Sequence, residues 1–426
     1  GYMAPLLASV LMTMRGKWFE GGVLTALFTS LMLNANHLQI TYYLLMLFLI
    51  LGIVKLLVAV KENQLEPYLK SVGVLVLAGF LGASTNITRI LTTYEYGEES
   101  MRGKSELTND LENKTSGLDI DYATAWSYGK AESFTLLIPN FHGGASQGEL
   151  GTDSETFQAI KQSPQAKTLI KQLPLYWGTQ PFTSGPVYAG AIVCFLFVVG
   201  LFLLKGYMRW WVIITSLLML ALGWGKNFMP LTEFFLEHFP LYNKFRAVST
   251  TLVIIEFLLP FFGFVALNKL LADGDRSENQ KSIKWGVIIT GGLCFVFALM
   301  PTMFFDFVGS SDDQLKEMGW PVDALQSDRA SLLSSDAWRS LMFILLAAAA
   351  LWLYLNNTLK KQHVILIFGL LIIGDMWTVN KRYLDDKDFK SKRKVAEPFS
   401  PSVADQQILA DNDPNFRVFN TAVNTF

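Results

Sequence analysis

The sequence predicts an α-helical polytopic membrane protein, a chain that crosses a lipid bilayer several times. Apolar residues make up 51% of its 426 positions and charged residues only 17%, whereas soluble proteins carry about a quarter charged residues. The mean hydropathy is +0.32. The apolar residues are also grouped in runs, and a bilayer-spanning helix needs about 20 such residues. These observations argue against an ordinary soluble protein of this length.

Eight long apolar runs predict membrane helices, and two shorter runs predict two more. The long runs are 39–60, 69–86, 187–204, 210–224, 250–271, 284–305, 339–355 and 363–380. Of these, 187–204 is the clearest because it contains no charge. The shorter runs are 3–14 and 21–36. We interpret the first as the end of a span that begins upstream, and the chain as an internal fragment of a longer protein.

The positive-inside rule gives these helices an orientation. If Arg15 and Lys17 face the cytoplasm, the short loops on their side hold twelve basic residues and the opposite short loops hold five. The predicted organisation is therefore membrane helices at 1–86 and 187–384, a large extracytoplasmic loop at 87–186, and the start of a soluble, extracytoplasmic α/β or β domain at 385–426. The loop should fold on its own or cap the bundle, and Phe416–Phe419 alternates like a strand.

Charge and motifs argue against several function classes. The net charge of −1 leaves no basic footprint for nucleic acid. The sequence has no Walker-type loop, no GxGxxG after a strand and no HExxH, so nothing predicts a nucleotide enzyme. Cys194 and Cys294 lie inside apolar runs, which favours packed thiols over a disulfide or metal site. No cofactor is evident, and a requirement for a divalent metal is left open.

A largely apolar segment at 225–249 ends in a basic sequence, Asn243-Lys244-Phe245-Arg246. Such a segment should lie along the outer membrane interface or dip into it. Lys244 and Arg246 stand at the start of a span. They predict either binding of a lipid phosphate, of which Arg can grip two oxygens, or plain interfacial anchoring.

Other polar residues lie at the predicted outer ends of the helices. His37 and Gln39 stand between two spans, where one histidine among amides favours hydrogen bonding to a substrate or a neighbouring loop over a metal site. Arg89, Glu95 and Arg102 follow the end of the next span. The polar candidates therefore concentrate on one face of the predicted bundle.

Among the ionisable residues within predicted spans, where charge is costly, we single out Lys55, Glu256 and Asp375. Lys55 is near the cytoplasmic end of its helix, from which its side chain can reach the interface. Glu256 and Asp375 are nearer the outer face. For both, a structural ion pair is favoured over catalysis.

Two outer segments combine turn-forming residues with aromatic rings. The first, 138–144, contains Asn140 and His142, and the second, 176–186, contains Tyr176, Trp177 and Gln180. Aromatic residues at membrane level commonly form an interfacial belt, which is the favoured interpretation. A floor on which a sugar stacks is the alternative.

Six segments of the sequence together resemble the bacterial YfhO membrane protein family. They are Asn36–Tyr43, Tyr94–Tyr96, Ser100–Gly103, Leu137–Phe141 with Gly143 and Gly144, Tyr176–Gly178 with Gln180–Phe182, and Asn243–Arg246. The resemblance covers nearly the whole chain. The YfhO family is similar to membrane glycosyltransferases of the GT-C class, which implies a GT-C-like transmembrane bundle.

The resemblance implies an enzyme of the bacterial cytoplasmic (inner) membrane that transfers a sugar from a polyprenyl-phosphate carrier to an envelope glycan or lipid. For such an enzyme, our hypothesis from the residues assigns substrate-binding roles to Lys244, Arg246, Arg89, Arg102, His37, Gln39, Asn140, His142, Tyr176, Trp177 and Gln180. The key carboxylate of GT-C enzymes is expected upstream of Gly1, and Glu95 and Glu256 are the candidates within the chain. A glycolipid transporter or flippase and a non-enzymatic envelope scaffold remain alternatives.

Overall fold

The computed structural model describes residues 1–103, 115–272, 275–413, 415–419 and 421. These residues are largely α-helical and form no β-strand. Their long apolar helices confirm the prediction of an α-helical polytopic membrane protein. By internal contacts the chain divides into two compact units, Gly1–Trp377 and Thr378–Phe426.

The longer helices are numbered here in chain order. They are α1 (Met3–Met14), α2 (Trp18–Asn34), α3 (Leu38–Lys61), α4 (Leu65–Ser84), α5 (Ile87–Glu98), α6 (Ala191–Leu203), α7 (Tyr207–Gly223), α8 (Met229–His238), α9 (Leu252–Leu270), α10 (Arg276–Leu299), α11 (Val322–Leu355) and α12 (Lys361–Asn380). We call the end of the bundle with Asn34 and Arg246 the loop end. The opposite end, with Arg15 and Lys61, is the far end.

Within the described ranges, six helices are long and apolar enough to cross a bilayer: α3, α4, α9 with the turn before it, α10, α11 and α12. The bent pair of α7 and α8 would be a seventh span if the two are counted together. Each of the ten predicted apolar runs overlaps a helix. The apolar runs therefore located the helices, although not every helix has the length of a span.

Two predicted spans differ from the helices that form. The run 187–204 becomes α6, which has only 13 residues because Gly190 adopts a φ of +108° and the helix begins after it. At 1.5 Å per residue α6 is about 20 Å long, shorter than the roughly 30 Å of bilayer hydrocarbon. The run 339–355 is only the second half of α11, which has 34 residues. Residues 322–338, predicted as part of an outer loop, are therefore helical.

The short helix α6 lies in the core of the bundle, in contact with α9, α10 and α11. Glycines allow the close approach: a Cβ on Gly200 would lie 2.8 Å from the Phe262 ring. Small residues of this kind are enriched where membrane helices pack together. Cys194 on α6 and Cys294 on α10 are buried free thiols, as predicted.

The segment predicted to lie along the membrane interface turns sharply away from the preceding helix. α7 and α8 are bent by 116° at a break around Gly225, whose φ is +47°. A Cβ at Gly225 would lie 2.1 Å from the Ser127 hydroxyl, so this turn requires glycine. α8 thus runs across the axis of α7, the direction expected of an interfacial helix.

A buried ion pair joins α11 to the segment before it. The Arg329 guanidinium donates to both carboxylate oxygens of Asp312, at 2.7 and 2.9 Å, and also to the carbonyls of Phe307 and Pro174. The Arg329 and Asp312 side chains are 0% and 3% exposed. Burial alone would raise the pKa of Asp312, but the Arg329 guanidinium and the Gly309 N–H hold it below its usual range.

A second ion pair connects α11, α12 and the start of α6. Arg339 lies 2.9 Å from the Asp375 carboxylate. The same carboxylate accepts hydrogen bonds from the Tyr188 hydroxyl, at 2.6 Å, and from the Ala191 N–H, at 3.0 Å. The ion pair predicted for Asp375 is therefore present, and it also caps the first turn of α6.

The described residues of Thr378–Phe426 contain only short helices, among them Lys392–Ala396 and Val403–Leu409. The strand predicted at Phe416–Phe419 does not form there, so an α/β or β domain is not supported. An alternating pattern favours a strand only when a partner strand can complete the backbone hydrogen bonds, and these residues pair with none among those described.

Breaking the buried ion pair of α11 should strongly destabilise the protein. We expect Arg329→Ala to lower the free energy of unfolding by about 3–5 kcal/mol, because it leaves the Asp312 carboxylate buried without its cation. Thermal unfolding in detergent would measure the loss. The matched control is Lys70→Ala, which removes the exposed Lys70–Glu66 pair and should cost under about 1 kcal/mol. Equal effects of the two variants would contradict the assignment.

Candidate functional site

The basic sequence before α9 is held in a fixed conformation at the loop end. Leu241 and Ala247, which flank it, both adopt left-handed backbone conformations with φ of +64° and +57°. Residues other than glycine rarely do so, and such strain is often found at functional sites. The Asn243 carbonyl accepts the Leu118 N–H, and the Asn243 amide donates to the Ser116 hydroxyl. Residues 115–118 thus hold the basic sequence in place.

Three cations meet here, and we call Arg102, Lys244 and Arg246 the basic cluster. Arg102 Nε donates to the Lys244 carbonyl at 3.0 Å, while Lys244 Nζ donates to the Arg102 carbonyl at 2.7 Å. Arg246 Nη1 donates to the Tyr122 hydroxyl at 2.7 Å. None of the three forms an ion pair with a carboxylate among the described residues. With respect to the described residues, the cluster therefore presents uncompensated positive charge.

The first turn of α3 contacts the same segment. The Gln39 side chain donates to the Arg246 carbonyl at 2.7 Å, and the Tyr42 hydroxyl donates to the Pro240 carbonyl at 2.7 Å. The Tyr42 ring also lies 5.1 Å from the Phe245 ring, measured between centroids. Four of the residues singled out in the sequence, Gln39, Arg102, Lys244 and Arg246, are thus brought together.

An apolar groove of about 600 Å³ begins beside this cluster. It runs along α3 between α1, α2 and α4, from Thr41 and Tyr42 at the loop end to Tyr68 near the far end. Its walls are mostly aliphatic and aromatic, as a groove for a lipid chain requires. Tyr42 belongs to both features, since its ring lines the groove and its hydroxyl binds the segment that carries the cations.

Three other candidates, Arg89, His37 and Glu95, do not contact the basic cluster in the part of the chain that the structure describes. Arg89 donates to the Asn34 carbonyl at 2.9 Å and so ties α5 to the end of α2. His37 caps the start of α3 by accepting the Ile40 N–H. Glu95 is exposed on α5. Arg89 and His37 therefore have structural roles in the geometry seen here.

A second group of polar residues surrounds the buried carboxyl of Glu132 in the outer region. Glu132 accepts hydrogen bonds from the Tyr176 hydroxyl at 2.8 Å, the Gln180 amide at 2.9 Å and the Gly129 N–H at 2.9 Å. Burial raises the pKa of Glu132, whereas the three hydrogen bonds act in the opposite direction and lower it. Two predicted site residues, Tyr176 and Gln180, thus bind a carboxyl group that sequence reasoning did not single out.

The aromatic residues of this region pack against each other. The His142 and Trp177 rings stack with 3.9 Å between centroids, and Phe305 and Phe307 lie 5.5 and 4.9 Å from Trp177. One face of the Trp177 ring is thus covered by protein. Burial lowers the pKa of His142 to about 3, so the imidazole is neutral at physiological pH.

The Glu132 region encloses a cavity of only about 10 Å³, with room for roughly one water molecule. Its lining includes His142, whose Nδ1 atom has no hydrogen-bond partner among the described residues. The Asn140 N–H donates to the Asp336 carboxylate at 3.1 Å. The cavity is not lined by Trp177, so the alternative of a sugar-stacking floor there stays a prediction.

The ion pair predicted for Glu256 is not found among the described residues. Its side chain is exposed on α9, and no described cation pairs with it. Pro260 lies four residues later in the same helix and has no N–H, so the Glu256 carbonyl also loses its usual helical donor. Burial raises the pKa of Tyr128, and the charges of Glu132 and Glu256 raise it further.

No cluster of three or more histidine, cysteine, aspartate or glutamate side chains suited to a metal ion exists among the described residues. Comparisons with protein-family models, with curated proteins and with solved structures find no match to this chain. The resemblance to the YfhO family therefore stays a prediction from the sequence.

The stability of the protein should fall in acid because of His142. The pKa of His142 is about 3 in the folded protein against 6.5 for an unperturbed histidine, so the unfolded chain takes up the proton first. Stability contributed by the neutral imidazole is then lost as pH falls from about 6.5 towards 3. Thermal unfolding across this range should show a shallower pH dependence for His142→Phe, while His238→Phe, at an exposed position, should follow the wild type. An unchanged slope in His142→Phe would contradict this.

Proposed function

We propose that this protein is a membrane glycosyltransferase that takes a sugar from a polyprenyl-phosphate carrier. The acceptor would be an envelope glycan or lipid, and the loop end would face outwards from the bacterial cytoplasmic membrane. We also propose that the membrane helices have a GT-C-like arrangement. The observation that carries it is the basic cluster at one end of a lipid-sized apolar groove.

The chemistry of a lipid-linked sugar fits these two features together. A polyprenyl chain needs an apolar surface within the bilayer, and the groove beside α3 offers about 600 Å³ of it. The carrier phosphate needs cations at the membrane surface, and Arg246 and Lys244 are uncompensated among the described residues. Arginine is well suited to this because its planar guanidinium binds two phosphate oxygens at once.

In the proposed reaction, an acceptor hydroxyl attacks the anomeric carbon of the sugar and the carrier phosphate leaves with the bonding electrons. Negative charge grows on the leaving phosphate, and fixed cations lower the barrier by interacting with that charge. We assign this role to Arg246 and Lys244. The attacking hydroxyl must also lose its proton to a base. We assign the role of that base to none of the described residues.

The length of the groove favours a second candidate, a glycolipid transporter. The groove extends along α3 from the loop end to Tyr68 near the far end, as a path for lipid between leaflets would. Movement of a lipid-linked sugar across liposomes without any covalent change would favour transport over transfer.

Arg246 should be essential for transfer. With the full-length protein in liposomes, we expect Arg246→Ala to lower sugar transfer from a polyprenyl-phosphate carrier by about a hundredfold, the usual effect of removing one donor to a developing charge. Mass spectrometry of the carrier and acceptor would measure it. Tyr122→Phe removes the hydrogen bond to Arg246 but keeps the charge, so it should retain most activity. Lys281→Gln, at an exposed position outside the cluster, is the control. Full activity in Arg246→Ala would reject the assignment.

Filling the groove should weaken binding of the carrier chain. Gly79 lines the groove and Gly73 does not, although both lie on α4. A Cβ at either position would meet no atom within 4 Å, so both tolerate a larger side chain. We expect Gly79→Leu to raise the KM for the carrier several-fold, whereas Gly73→Leu should behave as the wild type. Identical KM values for the two variants would exclude the groove as the chain site.

A further inference from the structure

A separate polar pocket of about 450 Å³ lies at the far end, between α1, α3, α4 and α7. It is lined by three charged residues, Arg15, Lys55 and Glu62, and by the aromatic residues Trp18, Tyr68 and Tyr207. Neither the sequence motifs nor the proposed sugar transfer uses this pocket. Its charges nevertheless face a space large enough for a lipid headgroup.

The two cations of this far-end pocket are not neutralised by ion pairs. Among the described residues, neither Arg15 nor Lys55 forms a salt bridge, although Glu62 faces the same space. Lys55 Nζ instead lies 4.3 Å from the centre of the Tyr207 ring. Arg15, Lys55 and Glu62 all line this one pocket. The pocket therefore holds two positive charges and one negative.

The pocket adjoins the apolar groove. Met14 and Tyr68 line both spaces, so the two lie side by side. A free ion would need no such apolar extension. A molecule with a charged head and a hydrocarbon chain would fill both parts, as a membrane lipid does.

The order of Lys55 and Glu62 along α3 indicates which lipid headgroup fits the pocket. Glu62 follows the last residue of α3 and lies seven positions after Lys55, which places both on one face about 10 Å apart along the helix axis. Lys55 is the deeper of the two in the bilayer. In phosphatidylethanolamine the phosphate is likewise closer to the hydrocarbon and the ammonium group is further out. Lys55 thus matches the phosphate and Glu62 the ammonium, and Arg15 lines the same pocket as a second cation.

We infer that the far-end pocket binds phosphatidylethanolamine, with its phosphate at Arg15 and Lys55, its ammonium group at Glu62 and a chain in the adjoining groove. Charge-assisted hydrogen bonds from the two cations hold the phosphate. The ammonium group gives three N–H donors to the carboxylate, which the quaternary group of phosphatidylcholine lacks. The headgroup pocket is independent of the proposed sugar transfer, whereas the groove that takes the lipid chain is the one assigned above to the carrier chain.

Native mass spectrometry of the delipidated full chain would test the inference, with phosphatidylethanolamine, phosphatidylglycerol and phosphatidylcholine of identical chains. We expect the wild type to retain phosphatidylethanolamine in preference to the other two. The double variant Arg15→Gln with Lys55→Gln should bind it about tenfold more weakly or worse, since a hydrogen bond to a charged group is worth at least about 1.4 kcal/mol. Equal retention of all three lipids by the wild type would overturn the inference.

Three further variants separate binding from folding. Glu62→Gln, at an exposed helix end, should keep retention of phosphatidylglycerol and abolish the preference for phosphatidylethanolamine. Lys281→Gln with Lys284→Gln removes two exposed lysines outside the pocket and should leave retention unchanged. Arg246→Ala should also leave it unchanged, so that failure of this site and failure of the glycosyltransferase proposal remain distinguishable. A preference that survives Glu62→Gln would overturn the assignment of the ammonium group.

Discussion

The buried charged residues in the first half of α11 have to be neutralised or hydrogen-bonded inside the protein, and much of the loop end is arranged to do this. Asp328 accepts the N–H groups of Glu155 and Thr156 at the start of a short helix. Arg329 binds Asp312, and Arg339 binds Asp375. A buried charge without a partner costs several kcal/mol. One helix thereby fixes the outer segments and two membrane helices with respect to each other.

This constraint also explains how much of the fold was predictable. Apolar runs located the membrane helices because burial in lipid requires a long apolar segment whatever its neighbours. The same reasoning did not predict the helix at 322–338. Charged residues such as Arg329 indicate a solvated loop unless their partners are known. The partners are distant or unremarkable in sequence: Pro174 lies 155 positions from Arg329. The alternation at Phe416–Phe419 failed for a related reason, because a strand depends on a partner that a local pattern cannot reveal.

The candidate site was predictable to a similar extent. Lys244 and Arg246 stood out because two cations precede an apolar span, and Gln39 because it stands at a helix end. The hydrogen bonds that bring these residues together join positions as far as 207 residues apart, as between Gln39 and Arg246. Glu132 gave no signal, since an isolated glutamate before an apolar stretch is common on protein surfaces. Only the fold shows that Tyr176 and Gln180 enclose it. The left-handed conformations of Leu241 and Ala247 were equally invisible, because neither residue favours them.

The position of α6 has a consequence for how the protein is made. Its partners α9, α10 and α11 all follow it in the chain, so α6 is synthesised before the helices that will cover it. During that interval its side chains must be in contact with lipid or the insertion machinery. A segment of 13 residues without any charge suits this exposed stage, although the finished protein shields most of it from the bilayer. The extreme apolarity of α6 can thus be understood as a requirement of biogenesis, in addition to packing.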